Sequence, residues 1–406
     1  MAHLSIKNIG PLRDIDIELN RINVFIGPQS SGKSTIAKII SFCQWLEKDL
    51  VVRQGLEHVD ERLLVKILIK YHNMTDYFSA ASEFHYRGYA INLNYAEGQV
   101  KLERTPGFAE AKVSKNAYIP AERNVIALPG IASLQWPQFY LRNFLFDWLN
   151  VRNKFSRDKA LSLRNLGVSY YYSESDGENM LVLDKGGEIH LDQASSGLQS
   201  ATPLYVLLNY LTKWIYENDD DRSFEKQRRI DEGAAKRLVQ ALLAAAEAGE
   251  SDKALVGKLR KMQDSAGKPQ FSNIVIEEPE QNLFPQTQTG LMYDILAMID
   301  HDRDNLVLTT HSPFILYALN NCMLAWRVRD AIAAEGDDLD LDPAEESWLD
   351  PDKVSIWEIR DGYIENYDGS RNVTIQDADG LVRGNYFDRV MSNIMADFTT
   401  LIDLKD

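Results

Sequence analysis

The sequence has little of what a disulfide-bonded or cysteine-metal protein needs. Its 406 residues include only two cysteines, Cys43 and Cys322, far apart in the chain. Two distant cysteines exclude a disulfide framework and a cysteine-based zinc module, and they fit a reducing compartment. A chain of this length can bury a full-sized core without such cross-links.

Long apolar runs are also lacking. The most apolar run, Pro203–Tyr210, is far shorter than the roughly 20 residues that cross a bilayer. The N-terminus, MAHLSIKNIG, has no basic segment followed by an apolar stretch, which a signal peptide requires. We therefore expect a cytoplasmic protein without membrane contacts.

Positive charge is in deficit, with 44 Lys and Arg against 60 Asp and Glu and a net charge of −16. Because nucleic-acid phosphates attract cations, such a chain is a poor passive binder of nucleic acid. The local basic stretch 152–164 holds five cations and one acid. It predicts either a contact for nucleic acid or a partner, or simply a solvated helix face.

The acidic excess is concentrated in residues 335–352, which hold nine acids and no Lys or Arg. The segment starts like a calcium loop, but Pro343 and Leu349 stand where such a loop needs Gly and Glu. Calcium is therefore not expected here. A solvated loop and a docking segment for a basic partner remain as interpretations.

What the sequence does contain is a phosphate loop between an apolar strand and a helix. The residues are Gly27-Pro28-Gln29-Ser30-Ser31-Gly32-Lys33-Ser34, followed by Thr35, and they match G-x-x-x-x-G-K-[ST] at every position. Glycines allow the tight turn that points backbone N–H groups at a phosphate, aided by the helix N-terminus. We expect Lys33 to contact the β- and γ-phosphates of ATP and the Ser34 hydroxyl to bind Mg²⁺.

An acidic pair ends a second apolar strand, where Ile274–Ile276 is followed by Glu277 and Glu278. A Mg²⁺-nucleotide site requires one carboxylate for the metal and another for the attacking water. We assign Glu277 as the metal carboxylate and Glu278 as the catalytic base.

Two further motifs are weaker when taken alone. Ala194–Gln199 contains Ser-Ser-Gly just before an apolar helix, which is also typical of an ordinary helix cap. Leu306–Thr310 is a strand followed by His311, and a histidine at a strand end is often structural.

The order of the four motifs resembles that of ABC-type ATPases of the RecF, Rad50 and SMC kind. In style the chain is most similar to the ATPase part of the overcoming-lysogenisation-defect family and to phage-defence ATPases such as Septu and Gabija. Three motifs carry this resemblance: I-E-E-P-E-x-x-L-x-P at Ile276–Pro285, T-H-S-P at Thr310–Pro313, and Y-I-P-A-E-R at Tyr118–Arg123.

The resemblance implies an α/β fold, an ABC-type P-loop nucleotide-binding domain. It also implies a helical lobe inserted between the phosphate loop and the segment Ala194–Gln199, which is the signature of the family. It implies ATP hydrolysis with Mg²⁺, a switch role for His311, and a homodimer or higher homo-oligomer with ATP between protomers. The expected role is a regulatory ATPase in anti-phage defence, acting with a separate effector protein. The signature residues expected to face the γ-phosphate of the other protomer are Ser195, Ser196, Gly197 and Gln199.

The expected organisation has five parts. They are an ATPase lobe at 1–125, a helical and β insertion at 126–190, a signature helix at 191–216, a helical insert at 217–271, and a second ATPase lobe at 272–406. The insert is too short for the long coiled coil of Rad50 or SMC proteins, and the region after His311 lacks the acidic motifs of a nuclease.

Three departures from the family pattern stand out. Glu277 stands where many ABC proteins have Asp, although the defence-type ATPases resemble this chain at that position. Phe284 occupies a position where the subgroup often has His, and no Q-loop glutamine is evident, so that Glu122 or Asn124 is the candidate substitute. Two other functions stay open: a RecF-like DNA repair ATPase, and a scaffold that binds ATP but turns it over very slowly.

Overall fold

The computed structural model describes residues 2–405 except 54, 57–60, 129–130, 132–139, 218–268, 336–338, 340 and 367. Within these residues the chain forms an α/β fold with one sheet of eleven strands and a second of four. The expected α/β class is confirmed. The helical insert expected at 217–271 lies almost wholly outside the described residues, and the predicted domain boundaries stay predictions.

One half of the large sheet is antiparallel and begins with the hairpin β1–β2. Side chains in this half alternate between buried and exposed, as in Leu12–Leu19, because the strands have one solvated face. Its strands are β1 (Ala2–Ile9), β2 (Leu12–Leu19), β4 (Glu83–Arg87), β5 (Ile91–Ala96) and β6 (Gln99–Arg104).

The other half consists of parallel strands that are buried on both faces. In spatial order they are β14 (Val354–Arg360), β3 (Ile22–Ile26), β13 (Asn305–Thr309), β12 (Phe271–Glu277) and β7 (Ser114–Ile119). The short strand β15 (Tyr363–Ile364) joins the two halves. Because carboxyl ends of parallel strands meet at one edge, the loops after β3, β12 and β13 come together there.

Helices cover both faces of this parallel half. Phe25 of β3 points into the layer formed with α1 (Lys33–Arg53), while its neighbour Val24 points into the opposite layer. That opposite layer holds α4 (Ser196–Asn209), α5 (Pro285–Met298) and α6 (Pro313–Arg327). A π-helical turn, Tyr210–Trp214, and a last turn, Ile215–Glu217, extend α4.

The lobe between the phosphate loop and the signature contains strands as well as helices. Besides α2 (Glu61–Tyr71) and α3 (Tyr140–Val151) it contains the second, antiparallel sheet. Aromatic and β-branched residues favour strands over helices, as in Val168–Ser173 with its three consecutive tyrosines. The sheet comprises β8 (Leu161–Leu163), β9 (Val168–Ser173), β10 (Glu178–Leu183) and β11 (Glu188–His190).

The C-terminal region contains two further helices, α7 (Arg329–Glu335) before β14 and α8 (Tyr386–Asp403) at its end. A capping box between Asn385 and Asp388 starts α8. Its apolar side chains stay exposed, as shown by Met391 at 59% and Phe398 at 55%. Among the described helices, none is long and apolar enough to cross a membrane.

Candidate functional site

The phosphate loop turns from the end of β3 into the first turn of α1. Gly27 adopts φ 141°, and a Cβ there would lie 2.2 Å from the carbonyl oxygen of Ile359 in β14. Only glycine fits this close approach of two backbones. Gln29 and Ser30 form the exposed tip of the loop.

Lys33 lies inside the loop with a side chain that is almost fully buried, at 4% exposure. Its Nζ donates to the carbonyl oxygens of Gly27 at 2.9 Å and Pro28 at 2.7 Å. Burial lowers the pKa of Lys33 to about 8, opposed by the negative charges of Glu278 and Glu280. A bound phosphate would offer this ammonium a charged partner in place of neutral carbonyls.

Glu277 ends β12 with a buried side chain, at 4% exposure. Burial raises the pKa of its carboxyl, opposed by the charge of Lys38 and by the Ser34 hydroxyl. Within the described part of the chain, Oε1 of Glu277 has no hydrogen-bond partner. A buried carboxylate oxygen without a partner, beside a hydroxyl, is a donor set that fits Mg²⁺.

Glu278 follows in a left-handed backbone conformation, φ 44°. Its backbone N–H donates to the carbonyl of Thr309 in the adjacent strand β13 at 2.9 Å. Oε1 of Glu278 lies 2.9 Å from Nε2 of His311, and this hydrogen bond is the largest cause of a lowered pKa at Glu278. Glu278 is therefore a carboxylate at neutral pH, about 30% exposed at the mouth of the site.

Glu280 is a site residue that the sequence analysis missed. Its Oε1 accepts hydrogen bonds from the Thr310 hydroxyl at 2.9 Å and from the backbone N–H of His311 at 2.6 Å. Burial raises the pKa of this carboxyl. Glu280 thus ties the acidic turn, Glu277–Glu280, to the segment that carries His311. The Glu-Pro-Glu spacing in the sequence was the signal for this role.

Of the two Q-loop candidates, Glu122 is the one whose charge acts on Glu277. Its negative charge contributes to raising the pKa of Glu277. Oε1 of Glu122 accepts from the Tyr140 hydroxyl at 3.0 Å, and Lys38 lies 5.3 Å from the centre of the Tyr140 ring. These contacts place Glu122 on the Glu277 side of the phosphate loop.

The signature segment begins α4 and makes its contacts mainly within itself. The Ser195 hydroxyl accepts from the N–H of Leu198 at 3.4 Å, and Ser195 and Ser196 are exposed. The Gln199 amide donates to the carbonyls of Asp192 and Ala194 at 2.9 and 3.1 Å. The expected contact of these residues with a nucleotide stays a prediction.

Gly197 has a packing reason to be glycine. A Cβ at this position would lie 2.8 Å from the carbonyl oxygen of Asn282, in the loop that follows the acidic turn. The start of α4 therefore packs directly on the segment after β12, within one chain.

The basic stretch 152–164 is not a helix but two turns followed by β8. Several of its cations have partners. Arg152 lies 4.4 Å from the centre of the Tyr172 ring, Arg157 hydrogen-bonds Glu188, and Arg164 lies 3.9 Å from Glu346. These pairings reduce the positive charge available to nucleic acid.

The described part of the acidic segment 335–352 is partly folded against the protein. Leu349 is buried and its N–H donates to the carbonyl of Cys322, while Asp352 accepts from Arg327 at 2.8 Å. Among the residues the structure describes, no group of three or more His, Cys, Asp or Glu side chains could hold a metal ion.

Comparison with known proteins gives one family match. Residues 3–95, which include the phosphate loop and α1, match the family model described as an AAA domain. No curated protein matches the chain in a sequence search.

Solved structures with a similar fold include the SMC head domain from Thermotoga maritima, at 10% identity over 78% of this chain and 90% of that chain, with a TM-score of 0.34. The Smc head domain with an extended coiled coil, bound to the C-terminal domain of ScpA and derived from Pyrococcus furiosus, matches at 11% identity over 78% and 92%, with a TM-score of 0.35. The recombination mediator protein RecF-ATPrS of the RecFOR pathway matches at 12% identity over 89% and 96%, with a TM-score of 0.29.

Proposed function

We propose that this chain is an ABC-type ATPase that binds and hydrolyses ATP with Mg²⁺. The observation that carries the proposal is the contact of 2.9 Å between Oε1 of Glu278 and Nε2 of His311. It lies at the same edge of the sheet as the phosphate loop and Glu277. A metal carboxylate, a base and a phosphate loop at one edge form the set that phosphoryl transfer to water requires.

Each residue has a separate task in this proposal. When ATP binds, the Lys33 ammonium leaves the neutral carbonyls of Gly27 and Pro28 and pairs with the charged β- and γ-phosphates. Ser34 and Glu277 would hold Mg²⁺, which, when bound, neutralises negative charge on the phosphates. Glu278 accepts the proton of the attacking water, and His311 orients its carboxylate.

The proposal extends to assembly and to a biological role. Exposed Ser195 and Ser196 at the start of a helix can present N–H groups and hydroxyls to the γ-phosphate held by a second copy. ATP would then act as a dimer switch. We propose that this switch regulates a separate effector in anti-phage defence. The motifs Ile276–Pro285 and Thr310–Pro313 support this role, because they resemble those of phage-defence ATPases.

The first test is phosphate release from ATP by the purified chain, with Mg²⁺ and with EDTA. Mg²⁺-dependent release that ends when Lys33 is replaced by Ala supports the proposal. Tight ATP binding without release would favour the slow scaffold. Stimulation by duplex ends, with no partner protein required, would favour the RecF-like alternative.

A further inference from the structure

Arg123 is a buried cation whose contacts are all with backbone carbonyls. Its side chain is 0% exposed, and it lies in the helical turn Ala121–Ala127 that follows β7. Nε and the two terminal nitrogens donate to five carbonyl oxygens: Pro120 at 3.2 Å, Ser200 at 3.0 Å, Glu277 at 2.8 Å, Glu278 at 2.8 Å and Pro279 at 3.0 Å.

The guanidinium stays charged in this position. Burial lowers the pKa of Arg123 to about 10, opposed most strongly by the charge of Glu280 and then by Glu278 and Glu277. Because a buried charge without partners is very costly, the five carbonyls must stay in place around it. The planar fork also sets their directions, which the single ammonium of a lysine could not do.

Four of the five carbonyl partners belong to two parts of the site. Three of them are consecutive in the acidic turn, including the carbonyl of Glu278, whose backbone is held at φ 44°. A left-handed non-glycine residue persists only where its surroundings hold it. Arg123 donates one hydrogen bond to the carbonyl of Glu278, one to that of Glu277 before it and one to that of Pro279 after it.

The remaining distant partner, Ser200, lies in α4 behind the signature. Pro203 interrupts the hydrogen-bond ladder of α4 in the same region, because it has no N–H to donate to the Gln199 carbonyl. A helix whose ladder is interrupted depends more on outside contacts for its direction. Arg123 provides such a contact at the next carbonyl, that of Ser200.

We infer that Arg123 is a positioning residue that couples the acidic turn to the signature helix. It holds Glu278 in its strained conformation and carries any shift of that turn to the start of α4, and so to Ser195 and Ser196. The inference rests on the proposed ATPase function, but it concerns how the two halves of the site move together rather than which residues bind ATP.

The test substitutes Lys for Arg123, with Arg152→Lys as the matched control at a partly exposed arginine. For Arg123→Lys we expect ATP affinity and KM within about threefold of the parent and kcat lower by about 10²-fold, as for a small misplacement of a catalytic group. Arg152→Lys should leave kcat unchanged. An Arg123→Lys protein with parental kcat, or one that loses ATP binding and activity together, would overturn the inference.

A second measurement can refute the inference with the parent chain alone, even if the variant does not fold. Hydrogen exchange of the amides in 195–202 and 277–281 is followed with and without ATP and Mg²⁺. We expect both segments to gain protection together in the parent, and only the acidic turn to gain it in Arg123→Lys. Protection of the turn without α4 in the parent would refute the coupling. A parent that shows joint protection but releases no phosphate would refute hydrolysis and leave the coupling intact.

Discussion

Nε2 of His311 lies 2.9 Å from Oε1 of Glu278, across the ends of the adjacent strands β13 and β12. A second link runs beside it, because Glu280 accepts from the backbone N–H of His311. The carboxylate of Glu278 therefore has a defined direction, and its lowered pKa keeps it ionised. The Glu278 carboxylate can accept a proton from water only if it is placed accurately. The residues that position it can therefore be tested by substitution.

Replacing Glu278 with Gln removes the base but keeps the size and the hydrogen bond to His311. ATP should still bind, hydrolysis should fall by about 10² to 10⁴-fold, and ATP-bound dimers should accumulate. Phosphate release and light scattering measure the two effects. Glu110→Gln, at an exposed acid, is the control, and parental hydrolysis by Glu278→Gln would place the base elsewhere.

Replacing Glu277 with Gln should instead change the metal dependence. The substitution removes a negative charge beside the Ser34 hydroxyl, so a higher Mg²⁺ concentration should be needed for half-maximal hydrolysis. Titration of activity with Mg²⁺ measures this. An unchanged Mg²⁺ requirement would show that Glu277 does not hold the metal.

Replacing Lys33 with Ala should abolish tight ATP binding, because the charge that pairs with the β- and γ-phosphates is lost. Calorimetric titration with ATP is the direct measurement. Lys7→Ala, at an exposed lysine in β1, is the matched control. Equal affinities of the parent and Lys33→Ala would contradict the phosphate-loop assignment.

The shared site predicts complementation between two defective chains. Ser196→Arg puts a bulky side chain where the signature of one copy should face the γ-phosphate held by a second copy. This variant should still bind ATP through its own phosphate loop. When it is mixed with Lys33→Ala, heterodimers with one intact site should restore part of the hydrolysis. No recovery, together with strictly monomeric hydrolysis by the parent, would return Ser195–Gly197 to the role of a helix cap.

His72 predicts a dependence of stability on pH. Burial lowers the pKa of His72 from 6.5 to about 3, and its ring stacks on Tyr140 with centroids 6.0 Å apart. Between pH 6.5 and about pH 3, the His72 ring is protonated in the unfolded chain but neutral in the folded chain. The free energy of unfolding therefore falls as the pH falls. His72→Phe keeps a ring and removes this effect.

Urea unfolding at pH 7 and pH 5 measures the difference. Between pH 7 and pH 5, the free energy of unfolding of the parent should fall by about 2 kcal/mol more than that of His72→Phe. His190→Phe, at a side chain that is 42% exposed, should show the parental loss. A parental loss in His72→Phe as well would assign the acid sensitivity to other groups.

The sequence by itself determined the elements with strong local signals. The alternation in β1 and β2, the apolar runs of β3, β12 and β13, and the loop Gly27–Ser34 are local patterns, and the structure has strands and a helix start at those places. Parallel strands also made it predictable that the phosphate loop, Glu277 and His311 would meet at one edge. A β component was expected at 126–190, but most strands of the second sheet and β14 were not predicted individually, because they are short or lack regular alternation.

Only the tertiary structure decided which residues hold the site in place. Glycine at 27 is required by a carbonyl of β14, which lies more than 300 positions away in the chain. In the sequence Arg123 was only the last residue of the motif Tyr118–Arg123, yet five carbonyls from three separate segments surround it. Backbone carbonyls are the same in every residue, so no side-chain pattern marks which of them will meet. Their meeting depends on how the strands and helices pack.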